Sequence, residues 1–163
     1  MIIIKEYRKE RRADGRIYIL SDEYSVCPLC HGVFIVIGVR DRKLTDATGY
    51  KEILVIRRLR CSCCLKIHHE LPDMVVPYKR HCAETIESVI VGEVDDVCCD
   101  FVTEYRIKRW WAAFRMYFEN IRTSLRMKYG TVFSTNPTPR EIVRAIANTN
   151  LWIHTRTAMT PIG

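Results

Sequence analysis

Eight cysteines, at positions 27, 30, 61, 63, 64, 82, 98 and 99, are the residues of this 163-residue chain whose spacing most directly implies chemistry. Cys27-Pro28-Leu29-Cys30 and Cys61-Ser62-Cys63-Cys64 are two C-x2-C knuckles with 30 residues between them. A tight C-x2-C turn brings two sulfurs within reach of one ion while turn amides help neutralise their charge, and tetrahedral zinc is satisfied by four thiolates at about 2.3 Å. The second knuckle offers three thiols for two places. Repeating the x2 geometry of the first selects Cys27, Cys30, Cys61 and Cys64 as ligands of one structural Zn2+, with Cys63, His68 and His69 left as alternatives. Unliganded core cysteines and an iron–sulfur centre are competing readings, but the hairpin spacing favours structural zinc. Cys82, Cys98 and Cys99 have no ligand-spaced partner and read as buried thiols acting as small hydrophobes.

His68-His69-Glu70-Leu71-Pro72 follows the second knuckle and superficially resembles an HNH-type nuclease. Such an enzyme needs a complete set of groups to hold its cation and activate water. After the histidine pair the chain offers His81, and no Asn before Asn120. No P-loop, GxSxG or HExxH motif is present. The expectation is therefore a non-catalytic protein in which HHELP is a strand leaving the zinc site.

The basic residues form the second chemical signal. The chain carries +7, distributed as 13 basic and 8 acidic side chains in residues 1–60, 3 and 9 in residues 61–104, and 10 and 2 in residues 105–163. Concentrated positive charge of this kind suits a polyanion. Arg57, Arg58 and Arg60 lie on one run between the knuckles. Arg106, Lys108, Arg109, Arg115, Arg122 and Arg126 lie in the rear block. At 100° per residue Lys108, Arg115, Arg122 and Arg126 fall within about 40° of one another. The apolar set Ile107, Trp110, Trp111, Phe114, Phe118, Ile121 and Leu125 is centred about 100° away.

These residues need elements to position them. Residues 2–7 and 16–20 read as short strands of a hairpin turning near Asp14-Gly15, with residues 5–12 open to a helical alternative. Residues 32–40 and 50–60 are rich in β-branched side chains and read as a long hairpin with a loose tip over 41–49, each arm ending at a knuckle. KIHHEL and MVVP read as short extended pieces. Helical spacing marks residues 83–91, stopped by Gly92, and residues 101–129, stopped by Gly130. Thr138, Pro139 and Glu141 announce a capping-box start to a last helix through residue 147, with an irregular tail beyond. The predicted fold is α+β: a zinc ribbon with N-terminal strands over residues 1–80, then a small helix-turn-helix-like bundle over 81–163. No apolar run approaches the roughly 18 residues of a membrane span, and MIII is too short for a signal-peptide core. A cytoplasmic protein is expected.

The segment LVIRRLRCSCCLKIHHELPDMVVPYKR, residues 54–80, resembles an uncharacterised bacterial zinc-ribbon family. Its members share a C-x2-C, an arginine-rich strand, a second C-x2-C, then IHHELPD and VPYKR, and many look like pieces of insertion sequences or prophages. The resemblance covers roughly residues 1–92. It implies that Cys27, Cys30, Cys61 and Cys64 form the metal set and that the protein handles DNA, as transposase N-terminal regions do. The sequence departs from the pattern at Cys63, inside the knuckle, and at His31, where Gly commonly follows the second cysteine.

The functional expectation is a DNA-binding module, with RNA as an alternative ligand. In a helix-turn-helix the second helix enters the major groove, and the start of the 101–129 helix has suitable side chains. The alternative is a protein-interaction adaptor, a homo-oligomer or a transposase partner, in which Trp110, Trp111, Phe114 and Phe118 form an oligomer face.

Overall fold

The computed structural model describes residues 1–95 and 97–153. Within them lie six strands, β1 (Ile2–Ile4), β2 (Tyr7–Arg11), β3 (Ile17–Ser21), β4 (Phe34–Thr45), β5 (Lys51–Cys61) and β6 (Ile67–Pro72). Three helices follow: α1 (Ala83–Val91), α2 (Phe101–Tyr129) and α3 (Pro139–Asn148). The fold is mixed α+β, a curled six-stranded sheet with three helices.

Strand β5 organises the sheet. Along one edge it pairs antiparallel with β4, from Thr45↔Lys51 to Phe34↔Cys61. Its other edge divides, running parallel to β3 at Leu54 and Val55 and antiparallel to β6 at Arg58, Leu59 and Arg60. Beyond these, β6 carries β1 in parallel and β3 carries β2 antiparallel. Leu54, Val55 and Ile56 are buried consecutively, the signature of a strand covered on both faces. Its continuation, Arg57 to Cys61, returns to a half-exposed pattern as β5 runs towards the knuckles.

Two local readings change. Residues 2–7 do not form one hairpin arm: Ile2–Ile4 joins β6, and the hairpin is made by β2 and β3. Residues 7–11 are extended, because charged side chains sit comfortably on an exposed strand whose turn is supplied by Gly15 at φ 80°. The long hairpin has no loose tip over 41–49. Strand β4 runs on to Thr45, with Leu44 buried beneath it. The turn is closed by the Asp46 carboxylate, which accepts from Thr48 N, Thr48 Oγ1 and Tyr50 N at 3.0, 2.8 and 2.8 Å.

Helix ends follow their local signals. The Cys82 Sγ accepts from Thr85 N at the start of α1, the Asp100 carboxylate accepts from Thr103 N at the start of α2, and Thr138 with Glu141 completes a capping box at α3. Gly92 and Gly130 close α1 and α2 in the left-handed conformation. One buried cluster includes Ile4, Leu54, Ile86, Phe114, Phe118 and Ile146, and so draws on strands and helices from both sides of residue 80. Asn148 ties α3 to the sheet as a strand would. Its Oδ1 accepts from Ile3 N at 2.7 Å and its Nδ2 donates to Ile3 O at 3.0 Å, satisfying the β1 backbone. Residues 92–100 connect α1 to α2, longer than the roughly 3–4-residue turn of a compact helix-turn-helix. The end of the expected 81–163 unit lies, from residue 154, outside the described residues.

Candidate functional site

The hairpin of β4 and β5 brings the two knuckles together at its outer end. Both knuckles use the same backbone device. Cys27 N donates to Gly32 O and Cys61 N donates to Lys66 O, each at 3.0 Å, so each turn is closed five residues on. The residue after each second cysteine is left-handed: His31 at φ 59° and Leu65 at φ 59°. A non-glycine residue there costs roughly 1 kcal/mol, which is why glycine suits the position that His31 holds. Ser62 N donates to Val33 O at 2.9 Å and stitches the second knuckle to the strand leaving the first. Gly32 is needed for close approach, since a Cβ there would meet Cys61 Sγ and Cys63 Cβ at 2.8 Å.

The sulfurs of Cys27, Cys30, Cys61 and Cys64 all lie within 4.8 Å of one another. Cys27 Sγ is 3.6 Å from Cys64 Sγ, and Cys30 Sγ is 3.4 Å from Cys61 Sγ. Four sulfurs placed tetrahedrally at about 2.3 Å from one ion stand roughly 3.8 Å apart, so the set fits a metal with little adjustment. The electrostatics also fit. The Gly32 amide and the neighbouring Cys61 lower the Cys30 thiol to about 6. Although the Lys66 amide favours the Cys64 thiolate, burial and the Cys30, Cys27 and Cys61 sulfurs push that thiol up to about 12. The Cys30 thiolate forms readily while that of Cys64 resists, a conflict that a divalent cation removes.

Cys63 is exposed, and its contribution is a backbone one, Cys63 N donating to Cys61 Sγ at 3.4 Å. His68 is buried with Nε2 3.8 Å from Cys27 Sγ and its ring 5.4 Å from that of Phe34, beside the four sulfurs rather than among them. Burial pushes its pKa down to about 4. Of the remaining cysteines, Cys82 is buried and caps α1, Cys99 is half-buried, and Cys98 is exposed, against the expectation that all three are core thiols. Cys98 packs instead over the turn at Gly49, where a Cβ would meet its Sγ at 2.8 Å.

Glu70 is 2 % exposed and receives Arg57 Nε at 2.6 Å and Nη2 at 2.9 Å, a bidentate pair on the inner side of β5 and β6. The expected arginine strand is thereby split. Successive side chains of a strand point to opposite faces, so Arg57 is committed to Glu70 while Arg58 and Arg60 face the other way. Along α2 the spacing holds. Ile107, Trp110, Trp111, Phe114, Phe118 and Leu125 are buried, while Arg106, Lys108, Arg109, Arg115 and Arg126 are exposed. Arg122 is half-buried against Glu119 at 3.5 Å, and Lys108 lies 3.7 Å from Glu104. The aromatic side is thus taken up by the chain's own core, not presented as an oligomer face. Arg40, Arg42 and Arg80, which sequence reasoning did not single out, line one cavity. The alternation of Arg40 and Arg42 is a strand signal, hidden by reading 41–49 as a tip.

The fold and site define a mixed α+β protein with a four-cysteine centre that can hold a metal ion. Residues 27–110 match the family described as a domain of unknown function, DUF6431, and the chain belongs to that family. The matched region spans both knuckles, β4 to β6, α1 and the first turns of α2. No curated protein and no solved structure matches the chain. No helix among the described residues is long and apolar enough to cross a membrane.

Proposed function

We propose that the protein is a non-catalytic DNA-binding module built on a structural zinc ribbon, related to the N-terminal regions of mobile-element transposases. The observation that carries this reading is the surface of α2, where Arg106, Lys108, Arg109, Arg115 and Arg126 are exposed along a helix whose other side is buried. Charge on a rigid, internally anchored helix can track a phosphate backbone without costing the fold anything. Cys27, Cys30, Cys61 and Cys64 hold the zinc, which replaces the core that the narrow outer end of the hairpin cannot build. Arg58 and Arg60 extend the basic surface, whereas Arg57 is removed from it by Glu70. The long connector between α1 and α2 favours phosphate contacts along α2 over insertion of a compact helix-turn-helix. The non-catalytic reading draws on the HHEL segment, whose His68 and Glu70 are buried in packing and an ion pair.

The test is anisotropy of labelled duplex DNA with the zinc-loaded chain between roughly 50 and 200 mM salt. If Lys108, Arg115, Arg122 and Arg126 each neutralise a phosphate, they contribute about −3.6 to the slope of log affinity against log salt. Arg115→Glu with Arg122→Glu then weakens binding alike for every sequence and flattens the slope by about 1.8 or more. An unchanged affinity and slope in the folded double variant removes α2 from the interface. RNA binding tighter than duplex binding at equal salt replaces DNA by RNA as the ligand.

A further inference from the structure

The continuation of β4 to Thr45 puts Arg40 opposite Ile56 and Arg42 opposite Leu54, while Arg58 stands opposite His69. Cross-strand partners and alternate residues share a face, so Arg40, Arg42, Arg58 and His69 stand on one side of the sheet, away from the Arg57/Glu70 pair. Residues 77–80 close over this side. Arg42 Nη2 donates to Lys79 O at 2.6 Å, Thr45 N donates to Arg80 O at 2.7 Å, and Lys79 Nζ sits 4.2 Å from the centre of the Trp110 ring. They leave a cavity of about 420 Å³ whose lining includes Ile56 and Leu71 together with Arg40, Arg42, His69 and Arg80.

The positive charge around this cavity exceeds its counter-charge. Among the described residues, Arg40, Arg42, Arg58 and Arg80 form no ion pair with any carboxylate. The carboxylate in the lining, Asp41, is engaged by Arg16 at 3.3 Å. Arg42 Nε is buried with no acceptor among the described residues. Burial, then Arg40 and Arg80, lower the Arg42 pKa against an opposing pull from Tyr78, and burial with Arg40, the N-terminus, Arg58 and Arg42 lowers that of His69. Tyr78, at the same cavity, holds a left-handed backbone at φ 62°, a strain of the kind that collects at ligand sites.

We propose that this cavity is a phosphate-binding site, taking the oxyanion of a phosphomonoester or phosphodiester between Arg40, Arg42 and Arg80. A planar carboxylate is satisfied by one guanidinium edge-on, as Glu70 is by Arg57. Guanidiniums arranged around a cavity suit a tetrahedral anion, whose oxygens point in several directions and accept from each. Arg80 also lines a second cavity, of about 530 Å³, with Arg106 of α2, so a phosphodiester held here would lie beside the start of that helix. The site does not depend on the DNA reading, because an isolated phosphate can fill it.

The test is calorimetric titration of the zinc-loaded full chain with two probes, inorganic phosphate and a thymidine dinucleotide whose only phosphate is a diester. Arg40→Gln with Arg80→Gln is the first variant, since both side chains are exposed and the fold tolerates their loss; Arg42→Gln is the second. Either probe binding to the wild type and weakening roughly tenfold or more in the variants, as loss of charge-assisted hydrogen bonds dictates, supports the site. The probe that binds then identifies the source, a free phosphate or monoester in one case and a nucleic-acid backbone in the other. Absence of binding by both probes, or equal affinity in wild type and both variants, overturns the proposal. The α2 stripe enters only the duplex measurement, so failure of the DNA reading shows there and failure of the pocket shows here.

Discussion

Replacing Glu70 by Gln removes the negative half of the Arg57/Glu70 pair while keeping its shape. The Glu70 side chain is 2 % exposed and that of Arg57 31 %, and two hydrogen bonds of 2.6 and 2.9 Å join them. Breaking a fully buried pair costs about 3–5 kcal/mol, because an unpaired charge is left inside. Here the charge left behind is that of Arg57, a third of which water already reaches, and Gln keeps one acceptor oxygen. The expected loss is therefore about 2 kcal/mol for Glu70→Gln. Arg57→Met strands the more deeply buried carboxylate and should cost about 3 kcal/mol or more. Replacing both by Met removes the desolvation cost with the attraction, and the double variant should fall within about 1 kcal/mol of wild type. Urea unfolding in excess zinc, followed by far-ultraviolet circular dichroism, measures the cycle. A Glu70→Gln cost below about 0.5 kcal/mol, or a double-variant loss equal to the Arg57→Met and Glu70→Met losses added, would refute a structural role for Glu70. The carboxylate would then be free for other chemistry, and hydrolysis of DNA dependent on His69 and Glu70 would have to be assayed.

One zinc per chain is expected to co-purify, measured by elemental analysis. Cys27→Ser or Cys64→Ser should lose it and unfold the knuckles, since structural zinc supplies on the order of 10 kcal/mol, whereas Cys63→Ser should retain it. Full occupancy in Cys64→Ser would move the fourth ligand to Cys63 or His68. Burial and Asp73, which accepts from the Tyr7 hydroxyl at 3.0 Å, push the Tyr7 pKa up to about 12. An unfolded tyrosine titrates near 10, so the stability that this group contributes is complete below about pH 10 and is lost as pH rises towards 12. Tyr7→Phe should be less stable than wild type at pH 8 and approach it as pH rises through that window; a constant difference across it would show that the hydroxyl does not titrate with folding.

The helices were legible because their signals are local. Gly92, Gly130 and the Thr138/Glu141 box act within one turn of the ends they mark, and the aromatic spacing of α2 names its buried side whatever covers it. The reach of β4 was not legible. Asp41, Arg42 and Lys43 resemble a polar tip until Leu44 is seen to be buried, and burial is supplied by elements distant in the chain.

The C-x2-C spacing by itself pointed to the four-thiol set, because each pair is closed within its own turn and a hairpin brings its two ends together, while the fold separated Cys64, beside the other three sulfurs, from the exposed Cys63. Spacing also determined which side of α2 is charged. Only the tertiary structure decided which arginines act together. Whether Arg57 meets Glu70, or Arg40 and Arg42 meet Arg80, depends on strand register and on the segment folded over each face. A one-residue change of register would exchange every side chain between the two faces, and that register is set by long-range pairing and burial rather than by any local run of residues.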